Sequence, residues 1–546
     1  MTIPGDELLF LALGGSAEIG MNVNLYGTQG KWVMVDLGLT FSDPGLPGVE
    51  IVLPDLEFIE ERADDLLGIV LTHGHEDHIG AIPYLALDLG VPLYATPFTA
   101  GLIMGKLEEE GIADKIELNI IENEGSFQLG PFGFTYVPLA HSIPEGNALL
   151  IETPYGRIFH TGDWKLDEAP QLGTPSTVEE LRAIGDKGIL ALVGDSTNVF
   201  NPEASGSEGA VREGLDAVIR EAKGRVLVTT FASNAARLQT LGQVARDTGR
   251  TLCVAGRSLD RILKVAKSVG YLADFPRVVD FDEAMRLPRY EVMIVATGGQ
   301  GEPRAALGRI AGDSHPIKLE AGDLVVFSSK QIPGNELAIG LIQNKLAAAG
   351  VLMITDRQAH VHVSGHPGRP ELAAMYGWIR PEIVMPVHGE IRHMAEQARF
   401  ALSQGVPKAV VQDNGKIVRL APGEPAIVGH APVGRLVLDG DVILPAGGAT
   451  MNERRKLMLN GQISVAVAVN RAGRVVGDPQ VRVQGVPVEE DREDFLADAA
   501  DAARKAATDG GNSEDRLREA IRLAVRRVAT QWTGKKPIVD VLLIRV

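Results

Sequence analysis

The first part of the chain alternates short apolar runs with glycine-containing turns. Runs over residues 8–13, 22–26 and 32–37 predict the strands of a β-meander. Later segments alternate predicted strands with predicted helices, as their apolar spacing indicates. The later strands are predicted at 67–71, 92–96, 116–121, 127–129, 134–138 and 157–160, and the helices at 79–89 and 99–110.

From about residue 205 the pattern changes to a regular alternation of helices and strands. This alternation predicts a doubly wound α/β layout around a mostly parallel sheet. The glycine-rich turn at 298–301 matches no phosphate-binding fingerprint, so it predicts a tight turn. Helices are predicted at 208–222, 235–248, 259–269 and 336–348, and strands at 225–230, 251–254, 292–296, 323–328 and 351–354.

The last hundred residues predict a small α+β domain after a Pro/Gly boundary near 445–448. Strands are predicted at 462–470, 481–483 and 538–545, and helices at 491–508 and 514–530. The second helix carries Arg518, Arg522, Arg526 and Arg527 beside its apolar face. Two interpretations of these arginines are equally open. They form either a solvated surface or a surface that faces RNA or another subunit.

Composition narrows the class of protein. The chain has 546 residues and a net charge of −18, which argues against a protein that coats nucleic acid non-specifically. Its single cysteine, Cys253, excludes an internal disulfide framework and a thiolate zinc site. No signal segment and no apolar run long enough to span a membrane occurs, so we expect a cytoplasmic protein.

A histidine cluster follows the strand predicted at 67–71. His73, His75, Asp77 and His78 stand within six residues, in the pattern H-x-H-x-D-H. Imidazole and carboxylate ligands suit borderline divalent metals such as zinc or manganese. Two ligand groups so close together predict two metals, and a polar loop with surface histidines is a much weaker explanation.

Further polar residues follow other predicted strands. Asp36 ends the third strand, where a carboxylate taken alone predicts a turn cap and, beside a metal site, can orient a metal-binding histidine. His141 and Asp163 each follow a later strand, and an aspartate can bridge two metals about 3.5–4 Å apart. Two later motifs, at 362–366 and at 388, also contain histidines. Together the motifs hold seven of the 12 histidines, which favours one shared site. These histidines are at positions 73, 75, 78, 141, 362, 366 and 388.

These motifs resemble those of a known nuclease group. Asp36, the cluster at 73–78, His141 and Asp163 resemble motifs one to four of the metallo-β-lactamase fold. Asp195 in Gly-Asp-Ser-Thr-Asn, His366 in His-Val-Ser-Gly-His and His388 in Pro-Val-His-Gly-Glu resemble motifs A, B and C of the β-CASP group, which cleaves nucleic acids. With the inserted segment and the tail, the whole chain resembles the bacterial ribonuclease J family. A histidine at motif C favours RNA over DNA.

The resemblance implies an α/β architecture: a metallo-β-lactamase αββα sandwich, an inserted doubly wound β-CASP domain and a small C-terminal α+β domain. The implied limits are 1–204 for the first part of the sandwich domain, 205–357 for the insertion and 358–444 for the return segment. A linker over 445–460 and the C-terminal domain over 461–546 would follow.

The resemblance also implies roles for the motif residues. His73, His75, His141 and Asp163 would bind one zinc or manganese ion, and Asp77, His78, Asp163 and His388 the other. Asp77, with Asp195 nearby, would position or deprotonate the attacking water, and His366 would protonate the departing 3′-oxygen. Some family members hold a structural calcium near the counterparts of Gly48, Glu50 and Asp441. The implied substrate-binding residues are Phe231, Ala232, Ser233, His362, Val363, Ser364, Gly365 and His366, with Ser233 at the 5′-phosphate.

The function implied is RNA maturation and decay in the cytoplasm. The enzyme would remove nucleotides 5′→3′ from single-stranded RNA with a 5′-monophosphate and have some endonuclease activity, as a homodimer or homotetramer with partners in an RNA-degradation complex. One alternative is a small-molecule metallo-hydrolase, but small esters need neither the β-CASP motifs nor an insertion of about 150 residues. A non-catalytic RNA-binding scaffold is the other, and no ligand position is missing to support it.

Overall fold

The computed structural model describes residues 6–42, 45–302, 304–332, 334–470, 474–509 and 513–546. Contacts between residues divide the chain into two compact units. The first contains the residues up to Thr40 together with Leu53–Val433, and the second contains Phe41–Val52 together with Gly434–Val546. The predicted limits of the individual domains stay predictions.

Two sheets face each other in the first unit and enclose its main core. Alternate residues of the strands point inward, so Phe10, Tyr26, Phe134 and Met385 pack into one apolar cluster. In spatial order the first sheet consists of Ala426–His430, Lys416–Ala421, Leu8–Gly14, Val23–Thr28, Lys31–Val35, Leu66–Val70, Leu93–Ala95 and Leu118–Ile120. The second consists of Ser126–Leu129, Phe132–Pro138, Asn147–Thr153, Gly156–His160, Ile189–Asp195, Pro381–Val387 and Lys408–Ala409.

Helices cover the outer faces of this sandwich. Leu181, Leu372 and Ala401 come from three helices and pack with Phe159 and Leu192 of the second sheet. The helices of this part are Glu57–Glu60, Glu76–Ile79, Ile82–Leu89, Pro97–Glu109, Val178–Asp186, Arg369–Ile379 and Ile391–Ser403. The predicted αββα sandwich is confirmed.

The segment between the two halves of the sandwich forms a six-stranded sheet in which every pair of strands is parallel. Its strands consist almost entirely of apolar residues, as expected for a parallel sheet with helices on its faces. The spatial order is Val278–Val279, Thr251–Ala255, Val292–Ala296, Val226–Thr229, Leu324–Phe327 and Leu352–Ile354. The helices are Glu208–Glu221, Ala235–Asp247, Arg257–Ser268, Phe281–Arg286, Ala306–Ala311 and Glu336–Ala348. The predicted doubly wound insertion is confirmed.

The C-terminal part is a three-stranded sheet packed on two helices, Arg492–Asp509 and Glu514–Thr533. The strands, in spatial order, are Gln480–Gln484, Gln462–Val469 and Ile538–Arg545. The last helix buries every fourth residue of its apolar face against the sheet. Two of its arginines pair within the helix, Arg518 with Glu514 at 2.9 Å and Arg522 with Glu519 at 2.6 Å.

A smaller four-stranded sheet has the order Val442–Pro445, Arg435–Asp439, Ile51–Pro54 and Thr40–Phe41. The helix Ala449–Asn460 occupies most of the segment expected to be a linker. Met451 is its one buried residue, so no apolar stripe marks it in the sequence. In the described residues, no helix combines the length and apolarity that crossing a membrane requires.

The predicted helix over 79–89 is two helices, Glu76–Ile79 and Ile82–Leu89. Pro83 lies in the first turn of the second helix, where a residue without an amide proton is tolerated. The helices Val178–Asp186 and Arg369–Ile379 are absent from the sequence prediction.

Candidate metal centre

The histidine cluster begins in the loop after the strand Leu66–Val70 and continues into the helix Glu76–Ile79, which contains Asp77 and His78. His73 belongs to the connecting loop, and His75 is the residue that precedes the first helical turn. His73 Nε2 lies 3.2 Å from His75 Nδ1. Both residues lie beyond the end of the strand, so the loop brings the two rings together.

Four side chains form a first donor group, and their ligand atoms all lie within 4.8 Å of one another: His73, His75, His141 and Asp163. His141 Nε2 lies 3.1 Å from His75 Nδ1. Asp163 Oδ2 lies 3.8 Å from His73 Nε2 and 3.9 Å from His141 Nε2. Three imidazoles and a carboxylate are a donor set that suits zinc or manganese.

A second donor group of Asp77, His78, Asp163 and His388 shares Asp163 with the first. Asp163 Oδ1 lies 3.3 Å from His78 Nε2 and 3.8 Å from His388 Nε2. Asp77 Oδ2 is 2.9 Å from His388 Nε2. Each oxygen of Asp163 thus faces a different group, which is the geometry of a carboxylate that bridges two metals.

Hydrogen bonds behind the rings determine which nitrogens face the centre. Nδ1 of His78 donates to Asp36 Oδ2 at 2.7 Å, so that Nε2 is the nitrogen that faces Asp163. Nδ1 of His141 donates to the Gly365 carbonyl at 2.7 Å and likewise leaves Nε2 free. The amide and hydroxyl of Thr72 also donate to Asp36. Asp36 therefore has the contacts that a residue orienting a ligand requires.

The ionisation of the first group also favours a cation. Burial lowers the pKa of His75 to about 4 and that of His141 to about 3. Both rings are therefore neutral near pH 7 and keep a lone pair. Burial raises the pKa of Asp163, but the charges of His388 and His78 outweigh it and hold the pKa well below its ordinary value. The shared carboxylate is ionised.

Asp163 Oδ1 provides a test of whether metals fit here. This atom is buried, and no well-aligned donor satisfies it. A buried carboxylate oxygen without a partner is destabilising unless positive charge meets it. A divalent cation held by the surrounding imidazoles would supply that charge, so the residues fit divalent metal.

Asp195 and His366 form a pair at the edge of the centre. Asp195 Oδ2 lies 2.7 Å from His366 Nδ1, and Asp195 Oδ1 lies 3.7 Å from His388 Nδ1. Burial lowers the pKa of His366, but the Asp195 carboxylate outweighs this effect and raises the pKa above its ordinary value. The His366 side chain is 24% exposed, so its ring reaches the surface of the centre.

The two predicted substrate segments lie on neighbouring loops. Phe231, Ala232 and Ser233 are half-buried between a strand and the helix Ala235–Asp247, and the first two line a cleft of about 1550 Å³. Buried Arg237 from this helix binds the Val361 carbonyl at 3.0 Å, directly before His362. The His362 Nδ1 is buried without a hydrogen-bond partner.

The sequence prediction missed several polar residues that contact the predicted ligands. Thr72 Oγ1 lies 3.0 Å from His73 Nδ1, and Asn22 Nδ2 lies 3.1 Å from His78 Nε2. Thr197 Oγ1 lies 2.6 Å from His388 Nδ1. Thr72 and Thr197 stand beside motif residues in the sequence, and that adjacency was a signal. Asn22 gave none, because it lies 56 positions from its partner.

The calcium site stays a prediction. Glu50 and Asp441 are exposed. Arg454 lies beside the expected site, because a Cβ on Gly48 would meet its Nη1 at 3.4 Å. The guanidinium pairs with Asp439 at 2.6 Å.

Family models match four consecutive parts of the chain. The metallo-beta-lactamase superfamily model matches residues 20–187, and the model described as ribonuclease J, beta-CASP domain matches 223–346. A Zn-dependent metallo-hydrolase RNA specificity domain matches 354–407. The ribonuclease J C-terminal domain matches 449–546.

Relatives match over nearly the whole length. Ribonuclease J of Sinorhizobium meliloti is 43% identical, with 99% of this chain and 98% of that protein aligned. Ribonuclease J of Thermus thermophilus is 33% identical over 98% of this chain and 95% of that protein. A crystal structure of a protein of unknown function from Enterococcus faecalis covers 76% of this chain and 100% of its own, with a TM-score of 0.54 and 17% identity, and so shares the fold.

Proposed function

Because the chain belongs to the ribonuclease J family and is a metal-dependent ribonuclease, we propose that it holds two divalent metal ions and degrades RNA in the 5′→3′ direction. The observation that carries this proposal is Asp163, whose two oxygens face two separate donor groups. A carboxylate shared between two sets of ligands would hold two metal ions close together, as the hydrolysis of a phosphodiester by two metals requires.

The donor groups divide the ligands between the two ions. His73, His75, His141 and Asp163 would hold one zinc or manganese ion, and Asp77, His78, Asp163 and His388 would hold the other. When bound, the two ions would supply Lewis acidity and would lower the pKa of a water molecule that they bind.

Asp77 and His366 would handle the protons of the reaction. Burial raises the pKa of Asp77, but His78 and the hydrogen bond from His388 outweigh it and lower the pKa below its ordinary value. Asp77 is therefore ionised and orients the attacking water or accepts its proton. His366, held by Asp195, donates a proton to the departing 3′-oxygen. Asp195 keeps that ring oriented and protonated.

The loops at 231–233 and 362–366 would bind the 5′ end of the RNA. Ser233 would contact a 5′-monophosphate, and Phe231 at the cleft would contact a base. The 362–366 loop would hold phosphate through backbone amides and through side chains such as Ser364. A pocket of this kind recognises a chain end, so we propose a preference for single-stranded RNA with a 5′-monophosphate.

The remaining parts of the proposal concern the setting of the enzyme. It would act in the cytoplasm in RNA maturation and decay, with some endonuclease activity. It would form a homodimer or homotetramer, with partners in an RNA-degradation complex and a structural calcium at Gly48, Glu50 and Asp441. These points rest on likeness to the ribonuclease J proteins.

A product time course tests the proposed activity. Internally labelled RNA with a 5′-monophosphate or a 5′-triphosphate is incubated with enzyme and manganese or zinc. We expect mononucleotides early from the monophosphate substrate, lost in His75→Ala and retained in His430→Ala, whose side chain is exposed outside the donor groups. Long discrete fragments from both substrates would show an endonuclease instead. No cleavage by the metal-loaded protein would overturn the proposed activity.

A further inference from the structure

Thr197 contacts His388 at two points. Its Oγ1 lies 2.6 Å from the His388 Nδ1 and 2.8 Å from the main-chain carbonyl oxygen of the same residue. The two residues follow parallel neighbouring strands, in which Asp195 is opposite Val387. The register of the sheet therefore brings the threonine and the histidine together at the carboxyl edge.

These two contacts determine which ring nitrogen of His388 carries a proton. A carbonyl oxygen only accepts, so the single hydroxyl hydrogen of Thr197 is directed to it. The Thr197 oxygen can then only accept a hydrogen bond from the His388 Nδ1, so Nδ1 carries a proton. In the neutral ring the nitrogen with the lone pair is Nε2, which lies 2.9 Å from Asp77 and 3.8 Å from Asp163. Thr197 thus directs the metal-binding lone pair toward the second donor group.

The backbone conformation of His388 also depends on the Thr197 hydroxyl. Its φ of 52° lies in the left-handed region, which residues with a β-carbon adopt uncommonly. Its amide donates to the Gly15 carbonyl at 2.6 Å, and its carbonyl accepts from Thr197. Hydrogen bonds therefore hold both main-chain polar groups of His388 in this unfavourable conformation, and Thr197 provides one of these bonds.

Asp195 is the alternative acceptor for His388. Its Oδ1 lies 3.7 Å from the His388 Nδ1, and it already accepts from the Thr197 amide at 2.8 Å. Without the threonine hydroxyl, the Nδ1–H of His388 would turn toward this oxygen. The rotation would move Nε2 away from Asp163 and would draw Asp195 from His366.

We propose that Thr197 is a positioning residue that fixes the tautomer and orientation of His388 and thereby sets the affinity of the second metal ion. This inference rests on the two-metal function proposed above. It assigns Thr197 a second task, which is to keep Asp195 available to His366.

Metal binding tests the proposal without reference to activity. Thr197→Val removes the hydroxyl at nearly constant volume, Thr197→Ala removes it without β-branching, and Thr197→Ser restores it. Thr240→Val is the matched control, because the Thr240 hydroxyl is buried and has no hydrogen-bond partner. Each full-length protein is stripped of metal, checked by circular dichroism and titrated with zinc against a chelator of known affinity.

We expect wild type, Thr197→Ser and Thr240→Val to bind two ions per chain with the same two affinities. Thr197→Val and Thr197→Ala should keep the first ion and bind the second about 10–100-fold more weakly, the range usual for loss of a group that orients a ligand. A crystal structure of zinc-loaded Thr197→Val should show the His388 ring turned toward Asp195.

The outcomes separate the two proposals. Two ions bound with unchanged affinity in both hydroxyl-free variants would overturn the role of Thr197 and leave the two-metal function intact. A wild-type protein that binds one ion would overturn the two-metal function and this inference with it. If Thr197→Val does not fold, the same titration of Thr197→Ala decides the question. If neither hydroxyl-free variant folds, Thr197 is structural rather than positioning and the inference is overturned.

Discussion

Asp195 Oδ2 lies 2.7 Å from His366 Nδ1, although 171 positions separate the two residues in the sequence. Asp195 ends a strand of the second sheet, and His366 lies in the loop that returns from the inserted domain. A hydrogen bond between an imidazolium and a carboxylate is stronger than one between neutral groups. The proposed proton donor and the group that keeps it protonated therefore meet only in the folded chain.

Replacing Asp195 by asparagine should remove the charge that holds this proton. The pKa of His366 would fall toward its ordinary value, so the ring would lose its proton at a lower pH. We expect kcat to fall by about 10²-fold or more, and the basic limb of its pH profile to move to lower pH. The pH dependence of kcat on RNA with a 5′-monophosphate measures both effects. An unshifted basic limb with two metals bound would contradict the assignment of His366 as the acid.

Arg237 is the centre of a buried network that reaches the substrate loop. It binds Glu208 through two nitrogens at 3.1 and 3.0 Å and the Val361 carbonyl at 3.0 Å. Arg237→Met leaves the Glu208 carboxylate buried without its partner, so we expect the free energy of unfolding to fall by about 3–5 kcal/mol. Urea denaturation measures this loss.

Two further variants distinguish a lost ion pair from lost packing. Arg237→Met combined with Glu208→Met removes both charges and should recover a large part of the stability. Arg392→Met removes an exposed arginine and should change the stability by less than about 0.5 kcal/mol. A double variant less stable than Arg237→Met would show that the uncompensated charge is not the cause.

His160 should make the metal-free protein less stable in mild acid. Burial lowers its pKa to about 4, whereas the ordinary value is 6.5. Between these values the unfolded ring binds a proton and the folded ring does not, so stability is full above pH 6.5 and falls as the pH is lowered. The loss is about 1.4 kcal/mol per pH unit, or about 2 kcal/mol between pH 6.5 and 5. In urea denaturation, His160→Gln should lose this part of the pH dependence. Equal slopes in both proteins would disprove the assignment.

The thiol of Cys253 should be inert in the folded protein. The residue lies fully buried in the parallel sheet, and burial raises its pKa to about 12. Because the thiolate is the reactive form, iodoacetamide should label Cys253 only after denaturation. Mass spectrometry of the intact chain reports the labelling, and the variant Ser403→Cys, which changes an exposed residue, serves as the positive control. Labelling of native Cys253 as fast as this control would contradict its burial.

The sequence predicted those parts of the structure that depend on short-range patterns of apolar and polar residues. The inserted sheet alternates helices and strands that each bury an apolar face, and its order along the chain was readable for that reason. The helix Ala449–Asn460 was not, because a helix that buries only Met451 has no apolar periodicity. The two helices at 76–89 were merged because the apolar spacing continues across their break.

The same distinction holds for the metal centre. His73, His75, Asp77 and His78 are close together in sequence, and His141 and Asp163 follow strands, so residue type and position predict them as ligands. The support of the centre depends on long-range hydrogen bonds instead. Nothing near Asn22 indicates that it contacts His78, and the partner of Thr197 lies 191 positions away. The ligands of a metal are a local signal, whereas the groups that orient them are a property of the fold.

Anomalous scattering from crystals of the zinc-loaded full chain is the most direct test of the two-metal centre. Data collected above the zinc edge should give two peaks per chain, one on each side of the Asp163 carboxylate. The first should lie among His73, His75 and His141, and the second among Asp77, His78 and His388. Asp163→Ala should lose at least one of them. A single peak in the wild type, or two peaks that do not share Asp163, would contradict a centre bridged by this carboxylate.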